Sequence, residues 1–268
     1  MDKVMTRLFN GLKSVSKSGV LTTGQNLEIL SGIAALIGLY LISHYNYLLF
    51  HILVELFSIV IAVSLFIVAW NLRRTITNHY ILFIGIAYLF VAVLDTFHTL
   101  SYKGVGVFAI DSADTATQLW MAARFLQGAS LLAAPYFLRH KLYSGLAVFL
   151  LTMVTALILG SIYFWNLFPA CYIEGRGLTP FKIAGEYIIS SLLLLALIFL
   201  YKNKAHFDTA VLRRIGVSIV ATIASELAFT FYIGVYDISN LFGHFFKIIA
   251  FYLIYKAVIK MEIGRAHV

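Results

Sequence analysis

The residues able to do chemistry stand in short pairs inside otherwise apolar sequence. His51 and Glu55 are four apart, Asp95 and His98 three, Trp120 and Arg124 four, and His244 and Lys247 three. Spacings of three and four put both side chains of a pair on one face of a helix. Glu186 and Glu226 stand inside two further apolar runs. Three chemistries fit these types. Glu55, Asp95 and Glu226 against Arg124 and Lys247 make a network of three acids and two bases, able to fix helix packing through hydrogen bonds. His51, His98 and His244 with Glu55 or Asp95 offer imidazole and carboxylate suited to zinc, copper or iron, as a bare metal or as haem, although Arg124 and Lys247 repel a cation. Phe50, Tyr102, Trp120 and Tyr236 can wall a pocket for a small extracytoplasmic or lipid-phase ligand, oriented by the charged groups.

The elements that must position these residues are apolar runs. Eight are present: Leu27 to Ser43, Tyr47 to Trp70, Tyr80 to Leu100, Thr117 to Leu138, Tyr143 to Trp165, Phe181 to Tyr201, Val211 to Tyr236 and Leu241 to Ile259. Each is near the ~20 residues that cross a bilayer as a helix. The first is short and is parted from the second only by His44, Tyr45 and Asn46, which predicts a tight helical hairpin. Pro135 predicts a kink near the end of the fourth. The expected fold is all-α, an integral membrane bundle of about eight helices.

Composition agrees. Of 268 residues, 61% are hydrophobic and 12% charged, where a soluble domain carries roughly 25% charged. The lipid bilayer is therefore the expected partner. The net charge of +8 is read by position as cytoplasmic loops rather than as a nucleic-acid surface. The single cysteine, Cys171, excludes an internal disulfide and a cysteine-cluster metal site.

Basic residues set the orientation. Alternate loops carry Lys3/Arg7/Lys13/Lys17, Arg73/Arg74, Arg139/Lys141, Lys202/Lys204/Arg213/Arg214 and Lys256/Lys260. The intervening loops hold Lys103, Arg176 and Lys182. That asymmetry predicts both termini in the cytoplasm of a multi-pass inner-membrane protein. The polar residues then form a layer in the outer half. His51, His98 and His244 fall about one turn below the outer interface, with Glu55, Arg124, Lys247 and Glu226 roughly 9–15 Å deep.

Such residues cost a few kcal/mol unless paired or hydrated. A proton path, pump or channel needs polar steps through the whole membrane, and the cytoplasmic half offers mainly Thr75, Thr77 and His79. No nucleophile motif, phosphate loop or HExxH pair supports an enzyme.

The ends read separately. Residues 1–24 lack a continuous apolar core, so no cleavable signal is expected. Val4, Met5, Leu8, Leu12 and Val15 form a stripe among Lys3, Arg7, Lys13 and Lys17, predicting an amphipathic helix on the inner leaflet. Residues 262–268 read EIGRAHV, and one back-translation resembles the start of a common sequencing adapter. The expectation is that these seven residues are not native, and that the natural chain continues beyond about Met261.

Several motifs in order carry a resemblance. They are FHILVELFSIVIAVSLFIVAWN (Phe50 to Asn71), GIAYLFVAVLDTFHTLSYKGVGVF (Gly85 to Phe108) and TQLWMAARFLQ (Thr117 to Gln127). CYIEGRGLTPFKIAGEYII (Cys171 to Ile189) and SELAFTFYIGVYDISNLFGHFFKIIAFYLIYKAV (Ser225 to Val258) follow. Together they resemble the membrane-associated sensor family MASE3, over roughly residues 25–261. The resemblance implies a signal-input domain of a bacterial or archaeal protein, without catalysis of its own. It also implies a downstream cytoplasmic module, a histidine kinase of a two-component system or a diguanylate cyclase, through which the chain would homodimerise. The residues it carries as a ligand-sensing cluster are His51, Glu55, Asp95, His98, Tyr102, Trp120, Arg124, Glu226, Asp237, His244 and Lys247, with an unidentified ligand. A small-solute or ion transporter, and a haem- or metal-bearing redox protein, are the alternative readings; the metal set is His51, His98, His244 and Glu55.

Overall fold

The computed structural model describes residues 23–75, 78–108, 112–230 and 238–266. The amphipathic stripe expected before residue 23, and Tyr236 and Asp237, lie outside them. The chain divides into two compact units, Met1–Asn46 and Tyr47–Val268. The first holds α1 (Thr23–Tyr45), a helix long and apolar enough to cross a membrane.

The second unit holds the other seven long helices: α2 (Tyr47–Asn71), α3 (His79–Leu100), α4 (Ala113–Ala133), α5 (Ser144–Tyr163), α6 (Pro180–Lys202), α7 (Thr209–Ala228) and α8 (Ile238–Ala266). The polar residue just before a helix often starts it, by accepting from an otherwise unpaired backbone N–H. Asn78 accepts from Tyr80 N, Ser112 from Asp114 N, Thr179 from Lys182 N, and Asp208 from Ala210 N. Pro180 sits in the first turn of α6, where its missing N–H costs nothing.

The all-α membrane bundle holds, with eight long helices among the described residues. By length and composition alone, six can cross a membrane: α1, α2, α3, α5, α6 and α8. The other two are more polar. α4 carries Gln118, Arg124 and Gln127, all buried, and α7 carries Arg213, Arg214 and Glu226. A helix shielded by protein can hold polar residues that a lipid-facing one cannot.

Some boundaries differ from expectation. The fourth segment is α-helical only to Ala133; Ala134–Leu138 is a 3-10 turn with Pro135 at its start, since proline removes a helical N–H and crowds the preceding turn. The seventh is helical over Thr209–Ala228, the end expected at Tyr236 lying outside the described residues, and the eighth is described as helix over Ile238–Ala266. One element was not anticipated: β1 (Tyr172–Ile173) pairs antiparallel with β2 (Gly177–Leu178). Its tight turn uses Gly175 at φ 75° and Gly177 at φ 83°, a region glycine enters without steric cost.

Six helices close a ring. α2 packs on α3, α3 on α4, α4 on α6, α6 on α7, α7 on α8, and α8 back on α2, while α5 lies mainly against α3. The core is Leu65, Ile81, Ile84, Leu94, Ile189, Leu193, Ile219 and Phe251, all nearly inaccessible. α3 is the most enclosed candidate span, with 72% of its apolar window buried against 17% for α5. On α5, Phe149, Leu150 and Leu157 point outwards, the arrangement a lipid-facing helix requires.

Small residues set two close approaches. A Cβ on Gly85 of α3 would lie 2.3 Å from the Ala69 Cβ of α2. At the α7–α8 contact, the Ser225 hydroxyl donates to Gly243 O at 2.7 Å, and the Ser218 hydroxyl to Ala250 O at 2.7 Å.

Candidate functional site

The ring brings one end of six helices together: the starts of α2, α4, α6 and α8 and the ends of α3 and α7. Every buried Asp, Glu, Lys, Arg and His among the described residues lies there.

Arg124 sits at the centre. Its Nη2 donates to both carboxylate oxygens of Asp95, at 2.6 Å each. Its Nη1 donates to Gln127, whose amide donates to the Tyr88 hydroxyl at 3.1 Å. Lys247 Nζ lies 2.5 Å from Glu55 Oε2 and 3.4 Å from Asp95 Oδ2. Both cations also face Trp120, with Lys247 Nζ 4.5 Å and Arg124 Cζ 4.8 Å from its ring centroid. Charges this dry are held only because each has a partner, since removing one partner strands the other.

A second buried pair was missed by the sequence reading. Lys182, expected in an outer loop, is in the first turns of α6, fully buried, and donates to Glu186. The reason is local. Thr179 and Pro180 start the helix there, so Lys182 and Glu186 become an i,i+4 pair. That spacing was the available signal. The buried set is therefore four carboxylates, Glu55, Asp95, Glu186 and Glu226, against three cations, Arg124, Lys182 and Lys247. Glu226 is the unmatched member. Both its oxygens are buried and accept no hydrogen bond among the described residues, although the charges of Arg124, Lys182 and Lys247 act on it.

The histidines pack beside this network. The His51 ring stacks on Tyr102, with centroids 3.6 Å apart and planes at 21°. It lies 5.3 Å from the His98 ring and 5.0 Å from the His244 ring. His98 Nδ1 is 2.7 Å from Ala116 O, and His244 Nδ1 is 2.7 Å from Asn240 O. A carbonyl only accepts, so both Nδ1 atoms carry the proton. His244 Nε2 lies 3.5 Å from Glu55 Oε1. Ligand atoms of His51, Glu55 and His98 lie within 4.8 Å of one another.

A small cleft of about 30 Å³ is lined by the three histidines, Tyr102, Trp120, Lys182, Phe229 and Asn240. Phe50, expected in its wall, packs edge-on behind His244 instead, at 5.7 Å between centroids. The β-hairpin covers Trp120. Tyr172 and Leu178 pack on Trp120 and Phe229, and Asp114 accepts from Cys171 N at 2.6 Å and Tyr172 N at 2.8 Å. Burial, with the Asp114 carboxylate next, pushes the Cys171 thiol up to about 12. An exposed Lys103–Glu174 pair ties the α3–α4 loop to the hairpin and adds little stability at such exposure.

The structure thus gathers His51, Glu55, Asp95, His98, Tyr102, Trp120, Arg124, His244 and Lys247 into one contact network, with Glu226 at its edge. Phe229, Asn240, Gln127, Tyr88 and the Lys182–Glu186 pair join it. Of the uncharged members, Gln127 stands three residues from Arg124 and Asn240 four from His244, spacings that were available as a signal.

The model of one family, MASE3, described as a membrane-associated sensor domain, matches residues 42–265. No curated protein and no solved structure matches the chain.

Proposed function

The chain belongs to the MASE3 family of membrane-associated sensor domains, and from that premise we propose that the histidine-lined cleft is its receptor. It is a multi-pass membrane protein with a sensory input role. A small ligand enters the cleft from the extracytoplasmic side or the outer lipid phase and changes the packing of α2, α3, α4, α7 and α8. Both ends of the chain face the cytoplasm of the inner membrane. The output is a histidine kinase or diguanylate cyclase module beyond α8, acting as a homodimer.

One observation carries this reading. α8 holds His244 and Lys247 of the cluster near its start and runs on past Lys256 to Met261, roughly 36 Å from Ile238 at 1.5 Å per residue. A shift at the Lys247–Glu55 contact therefore displaces a rigid rod whose other end lies on the opposite side of the bundle. Coupling of this kind requires the ligand to bind two packings of the bundle with different affinity.

The test uses a full-length family member with its output module, carrying the equivalents of Glu55→Gln, His98→Ala and Arg124→Gln. The expected result is loss of stimulus-dependent output in all three with the protein still inserted. Regulation intact in all three would make the cluster a packing network.

A further inference from the structure

We infer that His51, His98, His244 and Glu55 bind a first-row transition-metal ion of the zinc or copper class at the floor of the cleft. The inference names the ligand class of the receptor proposed above and rests on that reading.

The first argument is the direction of the lone pairs. With Nδ1 of His98 and of His244 donating to a backbone carbonyl, Nε2 is the ring nitrogen each has left to offer an ion. Neither Nε2 has a hydrogen-bond partner among the described residues. Glu55 Oε1 has none either, and both ring nitrogens of His51 are buried without one. His51 and Glu55 are fully buried, and His98 and His244 are at most 5% exposed. Electron-pair donors of His51, Glu55 and His98 thus lie together, an arrangement that a bound cation stabilises. The arrangement of His98 and His244 is also what metal ligation needs. An imidazole that donates its other N–H to a carbonyl has its tautomer and ring orientation fixed before the ion arrives.

The second argument is distance. Ligands at about 2.0–2.1 Å from zinc in a tetrahedron stand roughly 3.3 Å apart. The His244 Nε2–Glu55 Oε1 separation of 3.5 Å already meets this. His51, Glu55 and His98 offer one ligand atom each within 4.8 Å of one another, and His244 adjoins that trio through its Glu55 contact. Three nitrogens and one oxygen suit zinc or copper and disfavour magnesium and calcium, which take oxygen.

The third argument is charge. Lys247 lies close by and repels a cation, but it binds Glu55 through Oε2, leaving Oε1 on the histidine side. Carboxylates outnumber cations in the buried set, four against three.

The test is metal binding by the whole chain in lipid nanodiscs. Metal content is measured as purified, and the stripped protein is titrated with zinc and, separately, with copper against a competing chelator. The expected result is one ion per chain, with affinity falling about 100-fold or more in His51→Gln and in His98→Gln and unchanged in His140→Gln, whose side chain is exposed far from the cleft. A copper(II) resonance spectrum split by several nitrogens identifies imidazole ligation independently of affinity. Thermal unfolding of the stripped variants close to that of the stripped parent shows that they remain folded. No binding at millimolar metal overturns the inference, as does binding that the cleft variants leave intact. So does a haem absorption band that vanishes with His51 or His98. Output regulation lost in cleft variants of a chain that binds no metal refutes the ion and spares the receptor. Metal bound with no effect on output refutes the receptor and spares the ion site.

Discussion

Replacing Arg124 by Met should cost more stability than any other single change at the cluster. Met reaches about as far as the arginine Nε, so the packing of the apolar stem is kept while the guanidinium head is removed. What is lost is electrostatic. Asp95, fully buried, gives up two 2.6 Å charge-assisted bonds and keeps only Lys247 at 3.4 Å. Gln127 loses the donor to its carbonyl oxygen. Stranding a buried charge in this way costs about 3–5 kcal/mol. Asp95→Asn in the same chain removes the stranded charge while still accepting from Lys247, so the double variant should recover about 2–4 kcal/mol of the loss. The assay is reversible unfolding in mixed micelles by far-ultraviolet circular dichroism, on the parent, both single variants and the double. A loss below about 1 kcal/mol in Arg124→Met, or two single effects that add within about 0.5 kcal/mol, would show that the pair is not coupled and refute the reasoning.

Two further outcomes follow from the same accounting. Glu226→Gln should leave unfolding stability unchanged or raise it, because Glu226 accepts no bond among the described residues, whereas Glu186→Gln should lower it by about 3 kcal/mol by stranding buried Lys182; the opposite order in the same unfolding assay would contradict the assigned pairing. Cys171, with its thiol pushed up to about 12 from an ordinary 9.0, should form thiolate roughly a thousandfold less than a free thiol near neutral pH, so maleimide labelling should be slow in the folded protein and fast in detergent-denatured chain, and equal rates would place the hairpin differently.

Much of the fold was legible because it depends on local composition. Apolar runs near ~20 residues long can only be spanning or deeply buried helices, and α2, α3, α5 and α6 follow their runs within about two residues at each end. Pro135 ended an α-helix as its chemistry requires. The small hairpin was not legible, because two-residue strands carry no periodicity and exist only where Asp114 and Trp120 dock them. α4 and α7 were read as spans with the rest, but they are more polar than a lipid-facing helix, and it is their enclosure by neighbours that lets them hold Arg124 and Glu226.

For the site, the sequence alone determined which residues are costly in an apolar helix and which pairs share a helix face. It therefore named His51, Glu55, Asp95, His98, Arg124, His244 and Lys247 and placed them at one end of the bundle. It did not determine who meets whom. The helical spacing coupled Arg124 to Trp120 and Lys247 to His244, but their charges are answered elsewhere: Arg124 by Asp95, 29 residues away, and Lys247 by Glu55, 192 residues away. Tertiary structure decided that, because an ion pair between helices depends on the rotation and register of each helix. Those are set by the packing of its whole surface, down to contacts such as Gly85 against Ala69.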